Sequence, residues 1–167
     1  MCRGRAFTLV EILVVVVLLG IVAAVVIPAV ANSGTSARAT TLATSLNMLR
    51  RFVLVYTSHH LEVAPGYTAG PGSAVDAAVF ADQALLSSNA EGQTAPRGTI
   101  GFKYGPYLSK IPTNPFNGLA TIQMLADGQD FPAAADNSHG WIYKAQTGEI
   151  RPDNSGTDDA GRAYYDY

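Results

Sequence analysis

The sequence predicts an α+β protein in which a long N-terminal helix packs its second half on a small antiparallel β-sheet. Three observations carry this prediction. Residues 12–31 form twenty consecutive positions without a charge. Leu42, Leu46, Leu49, Val53 and Tyr56 then recur at spacings of 4, 3, 4 and 3, one stripe of a helix. Near the C-terminus, "GWIYKAQTGEIRPD" alternates around a glycine-containing turn, as a hairpin does.

The elements follow in chain order. At about 1.5 Å per residue the uncharged run spans roughly 30 Å, the hydrocarbon thickness of a bilayer. The stripe continues it, and Arg38, Arg50 and Arg51 lie off that stripe. One helix over residues 8–61 is therefore expected, the first half in membrane or filament core and the second against a soluble head. "VAPGYTAGPGS" is a loop, because proline and glycine crowd it. "SAVDAAVFADQALLS" reads as a helix capped by Ser73, with Asp76 three residues on. "SSNAEGQTAPRGTIG" reads as loop, "GPYLSKIPTNPFNG" as turns with short apolar pieces, and residues 119–125 as a strand. Residues 141–144 and 149–151 are the hairpin strands, with Gly148 in the turn.

Charge is unevenly placed. Before Glu62 the chain carries Arg3, Arg5, Arg38, Arg50 and Arg51 against Glu11 alone. From Glu62 onward twelve acids face six bases, a net charge of −6. Such a head is a poor nonspecific partner for nucleic acid. Arg3 and Arg5 precede the apolar run, so the N-terminus is expected in the cytoplasm and the head across the membrane. The single cysteine, Cys2, allows no disulfide within the chain.

The run is longer than the apolar core of a secretory signal, about 7–15 residues. A plain anchor explains the run and the arginines but not Glu11, since an acid at mid-helix costs about 2.5–3.5 kcal/mol and less near the interface. The stretch "AFTLVE" followed by a long apolar helix resembles the N-terminal signature of type IV pilins and pseudopilins. The resemblance covers roughly the first thirty residues. It implies a prepilin peptidase cut between Ala6 and Phe7 and methylation of the new Phe7 amine. Ala6 stands where most members carry glycine; a cut after Gly4 would spoil the spacing to Glu11. Glu11 is then the fifth residue of the mature chain and Pro28 the twenty-second, where many members carry a helix-breaking proline. Pro28 lacks an N–H and loosens the helix. Glu11 of one subunit would pair with the Phe7 amine of the next, fixing register because an unpaired acid penalises a wrong stagger.

The implied organisation is a leader (residues 1–6), a membrane and filament-core helix (7–31) and a periplasmic pilin-like head (32–167). "GPYLSKIPTNPFNG" is similar to a segment of the major pseudopilin of type II secretion. The resemblance implies a subunit of the bacterial inner membrane that polymerises with itself and other pilin-like subunits. It also implies an inner-membrane assembly platform and a periplasmic filament that pushes proteins outward. A type IV pilin for adhesion, motility or DNA uptake is the alternative, and a membrane-anchored binding module that never polymerises is another. An enzyme is not expected, because no GxSxG, HExxH, P-loop or dinucleotide fingerprint is present.

Two clusters carry residue types that ligate metals. His59 and His60 are adjacent and point apart on a helix, so with His139 a solvated or capping role is expected instead of zinc binding. Asp153, Asn154, Ser155, Asp158 and Asp159 offer hard oxygens in a glycine-containing loop, the chemistry of Ca²⁺. The resemblance also implies calcium in such a loop; the plainer reading is a solvated acidic loop. Tyr164, Tyr165 and Tyr167 serve either the core or a neighbouring subunit.

Overall fold

The computed structural model describes residues 8–167 and, within them, the side chains of all but Val25 and residues 27–33. The chain divides into two compact units, Met1–Ala37 and Arg38–Tyr167. Helix α1 (Leu9–His59) runs without a break through position 28.

In the first unit, every large apolar side chain described from Leu9 to Val26 is 49–82% exposed. Among the described residues nothing buries these side chains, and an exposed apolar surface of this extent marks a membrane or protein contact.

The second unit is built on the last six turns of α1. Leu42, Leu46, Leu49, Val53 and Tyr56 are all buried, as the stripe predicts, and Phe52 joins them. The helix ends slightly earlier than expected. Leu61 and Glu62 take left-handed φ of 56° and 63°. The Glu62 N–H reaches back to the Thr57 carbonyl at 3.1 Å, a closure that satisfies a terminal carbonyl.

Helix α2 (Ala77–Leu85) is capped by Asp76, not by Ser73. The Asp76 carboxylate accepts from the Ala78 and Val79 N–H groups at 2.6 and 3.1 Å. Ser73 is engaged in the preceding turn, donating to the Gly70 carbonyl at 2.7 Å. The segment expected as loop after α2 holds a short antiparallel ladder, β1 (Ser87–Ser88) on β2 (Thr94–Ala95).

The main sheet is mixed. Strand β4 (Trp141–Lys144) pairs antiparallel with β5 (Glu149–Pro152) around Gly148, as the hairpin predicts. Strand β3 (Ile122–Leu125), shorter than the expected 119–125, pairs with β4 in parallel, Ile122 opposite Trp141. This corrects the wholly antiparallel expectation. Residues 126–140 carry the chain back to the starting end of β3, and a crossover of that length is what parallel pairing needs.

The core gathers the α1 stripe with Phe80 of α2 and Trp141, Tyr143, Ile150 and Tyr164. Phe52 meets Phe80 edge-on at 5.3 Å and 85°. Trp141 donates its Nε1–H to the Pro112 carbonyl at 2.8 Å, which ties the 105–118 segment down without a strand. Where that segment joins the sheet, Gly140 lies so close that a Cβ would run into the Leu119 carbonyl.

Candidate functional site

The start of α1 is organised by two residues. Thr8 precedes the first helical residue. Its Oγ1 accepts the Glu11 N–H at 3.2 Å, and Glu11 Oε2 accepts both the Thr8 N–H and the Thr8 hydroxyl at 3.3 Å. This reciprocal pair is a capping box. Its signature, Thr-x-x-Glu before an apolar run, stands in "TLVE" and was readable from the sequence, although the reading of Glu11 above assigned it only to subunit pairing. Both contacts to Thr8 use Oε2, and Oε1 has no hydrogen bond among the described residues. The carboxylate is thus oriented by its own helix and still has an oxygen to offer.

Ala6 and Phe7, the expected cut and methylation site, lie outside the described residues, as does the side chain of Pro28. Among the described residues no helix is long and apolar enough to cross a membrane. The apolar run of the sequence includes Val25 and residues 27–31, whose side chains are not among those described.

The acidic loop does not gather its five residues around one point. Asp153 is buried, and its Oδ1 accepts the Asp136 and Asn137 N–H groups at 2.9 and 3.1 Å. Its Oδ2 accepts the His139 N–H at 2.9 Å. Asn154 is buried beside it. Ser155 faces Asn137, accepting from its Nδ2 at 2.8 Å and donating its N–H to Oδ1 at 3.0 Å. Asp158 folds its own turn, accepting the Ala160 and Arg162 N–H groups at 2.9 Å and the Tyr167 hydroxyl at 2.8 Å. The Tyr167 hydroxyl and these N–H groups hold the Asp158 carboxyl below its ordinary range. Asp159 is exposed. Among the described residues no three His, Cys, Asp or Glu side chains are grouped to hold a metal. The carboxylates of Asp153 and Asp158 point at protein donors. The composition of the loop does not show this, because the donors to Asp153 come from residues 136–139.

The histidines do not converge either. His60 is buried and not solvated, and its contact with the Tyr56 carbonyl at the end of α1 fits the other expectation, a capping role. It stacks on Tyr56 at 3.7 Å, with Nδ1 2.7 Å from the Tyr56 carbonyl and Nε2 2.9 Å from Ser88 Oγ. A proton on Nδ1 satisfies both contacts, since the carbonyl can only accept. Burial pushes its pKa down. His59 instead meets the Tyr107 hydroxyl at 3.1 Å, and His139 meets Ser138 Oγ at 2.8 Å.

The tyrosine tail turns inward. Tyr164 and Tyr165 are buried, and the Tyr165 hydroxyl donates to the Pro132 carbonyl at 2.7 Å.

A family model, the prokaryotic N-terminal methylation motif, matches residues 1–27. No curated protein and no solved structure matches the chain. The motif match supports a type IV pilin-like subunit, membrane-anchored, processed by a prepilin peptidase and assembling with other pilin subunits. The α+β head on a long N-terminal helix is compatible with a pilin-like fold.

Proposed function

We propose that the chain is a major-type pseudopilin, a structural subunit of the filament that drives protein export by a type II secretion system. It is inserted in the bacterial inner membrane with the N-terminus cytoplasmic and the head periplasmic. It is cut after Ala6, methylated at Phe7 and added to the fibre by an ATPase-driven platform. It is not an enzyme. The observation that carries this reading is the capped Glu11 at the head of an uncovered apolar helix, inside the methylation motif.

Assembly follows from the chemistry of that end. The apolar face of α1 gains free energy wherever it leaves water, whether into lipid or against other copies. Burial alone does not set the stagger between copies. A carboxylate in an apolar setting does, because only one stagger places a cation beside Glu11. The Phe7 amine freed by cleavage is that cation, with an ordinary pKa near 7.7–8.0. Pro28 leaves one carbonyl of α1 without its usual donor, a place for the helix to extend as copies pack. The lack of any intrachain disulfide favours a pseudopilin over a pilin that relies on one.

The test is intact mass of the protein from a host that supplies its peptidase. A chain starting at Phe7 and heavier by one methyl group is expected. An uncut chain makes the helix an ordinary anchor and overturns the reading. Deletion in the native host then separates the roles: export should stop while surface fibres remain.

A further inference from the structure

The head carries a groove of about 580 Å³ between the end of α1, α2 and the turn before β2. Leu61, Val63 and Val79 wall it, and Asp82 and Glu91 stand on its rim. Leu61 is 76% exposed there, pushed outward by its left-handed backbone. Both rim carboxylates are exposed. The ion pairs among the described residues are Lys144–Asp130 and Arg151–Glu149, so neither rim acid is neutralised. The floor includes Tyr56, which is 1% exposed. Its hydroxyl ends under Gly92, where a Cβ would stand 2.8 Å away. An apolar groove rimmed by two exposed carboxylates is suited to an apolar side chain flanked by cations.

The same chain carries a surface of the opposite character. Residues 96–103 form a tight projection, with the Thr99 N–H and hydroxyl on the Pro96 carbonyl at 3.2 and 2.7 Å and the Phe102 N–H on the Thr99 carbonyl at 3.2 Å. Gly98 and Gly101, at φ of 90° and 92°, allow the two bends. At the tip Ile100 is 97% exposed. Arg97 and Lys103 flank it, and neither is in an ion pair. Lys103 lies 5.2 Å over the Tyr104 ring.

We propose that this groove receives the 96–103 projection of a second copy of the chain. Ile100 enters between Leu61, Val63 and Val79, while Arg97 and Lys103 meet Asp82 and Glu91. Groove and projection are different patches of one molecule, and such a head-to-tail contact propagates instead of closing on itself unless its rotation happens to close a ring. The contact rests on the reading that copies of this chain assemble, and it adds a head-to-head link to the helix packing.

The test uses the full chain with Cys2 replaced by serine, in a host with its peptidase. One chain carries Ile100→Cys and a co-produced chain carries Ala90→Cys. Mild oxidation is expected to give a disulfide-linked dimer, confirmed by mass spectrometry of the 100–90 linked peptide. Arg97→Glu with Lys103→Glu on the first chain should lower its yield at least tenfold, and Asp82→Lys with Glu91→Lys on the second should restore it. No linked peptide, or one indifferent to charge reversal, overturns the contact, as does linkage of position 100 to a different protein. Electron microscopy of the unsubstituted chain runs in parallel and reads filament formation separately. Filaments without the linked peptide sink the contact alone, and absence of filaments sinks the assembly reading whatever the cross-link shows.

Discussion

Thr8 and Glu11 hold each other in a reciprocal arrangement, Glu11 N–H on Thr8 Oγ1 at 3.2 Å and Thr8 N–H on Glu11 Oε2 at 3.3 Å. Glu11 therefore has a local task beside any task between subunits, and the two respond differently to substitution. Glutamine can also close a capping box but carries no charge. Glu11→Gln should keep helix content, measured by circular dichroism in detergent, and still abolish filaments. Glu11→Ala should lose filaments and also loosen the first turn of α1. Filaments from Glu11→Gln at normal yield would show that the cap, and not the charge, is what assembly needs.

Asp153 draws three backbone N–H groups of residues 136–139 onto one buried carboxylate. Asp153→Asn turns an NH₂ toward at least one of those donors. The expected loss is about 2–3 kcal/mol, read as a lower midpoint in urea. Because these donors occupy the carboxylate, millimolar Ca²⁺ should leave the melting temperature unchanged. A rise of several degrees would mean that the loop reorganises around the ion.

Tyr143 is fully buried, and its hydroxyl has no partner among the described residues. An unpaired buried hydroxyl costs more than it returns. Tyr143→Phe is expected to raise stability by about 1 kcal/mol. A loss of that size in thermal melting would reveal a partner for the hydroxyl.

His60 is buried and neutral, with its pKa depressed mainly by burial. The unfolded chain, with a histidine pKa near 6.5, then binds the proton more readily than the folded one. Stability is therefore full above about pH 6.5 and declines as pH falls through that value toward the lower folded pKa. The lowered carboxyls of Asp136 and Asp158 act in the same direction but only in the more acidic carboxylate range. Melting temperature measured from pH 8 to pH 5 should fall, and His60→Gln should flatten the curve. An unchanged slope in His60→Gln would assign the effect elsewhere.

How much of this was legible depends on how local each signal is. The α1 stripe and the Gly148 hairpin are local patterns, and both elements lie where periodicity puts them. Strand β3 was legible as a strand but not its direction, because direction is set by the path of residues 126–140 and not by alternation within β3. Strands of two residues, such as β1 and β2, leave no period to read. Ser73 was the expected cap with Asp76 three residues on, but the turn at Gly70 engages Ser73 and the cap falls to Asp76. The acidic loop misled for the opposite reason. Its composition suits a cation, while its partners are amides of residues 136–139, brought near only by the folded sheet.

Arg50 on α1 donates to the Tyr167 carbonyl at 2.7 Å, across 117 positions of sequence. The stripe beside it shares one core with Ile150 and Tyr164. A ribosome makes the helix before its cover, so the greasy seam of the nascent chain stays open until residues 141–167 have been made. Closing so wide a loop is also slow. Whatever escorts the unfinished polypeptide must therefore shield a helix face, not a sheet edge.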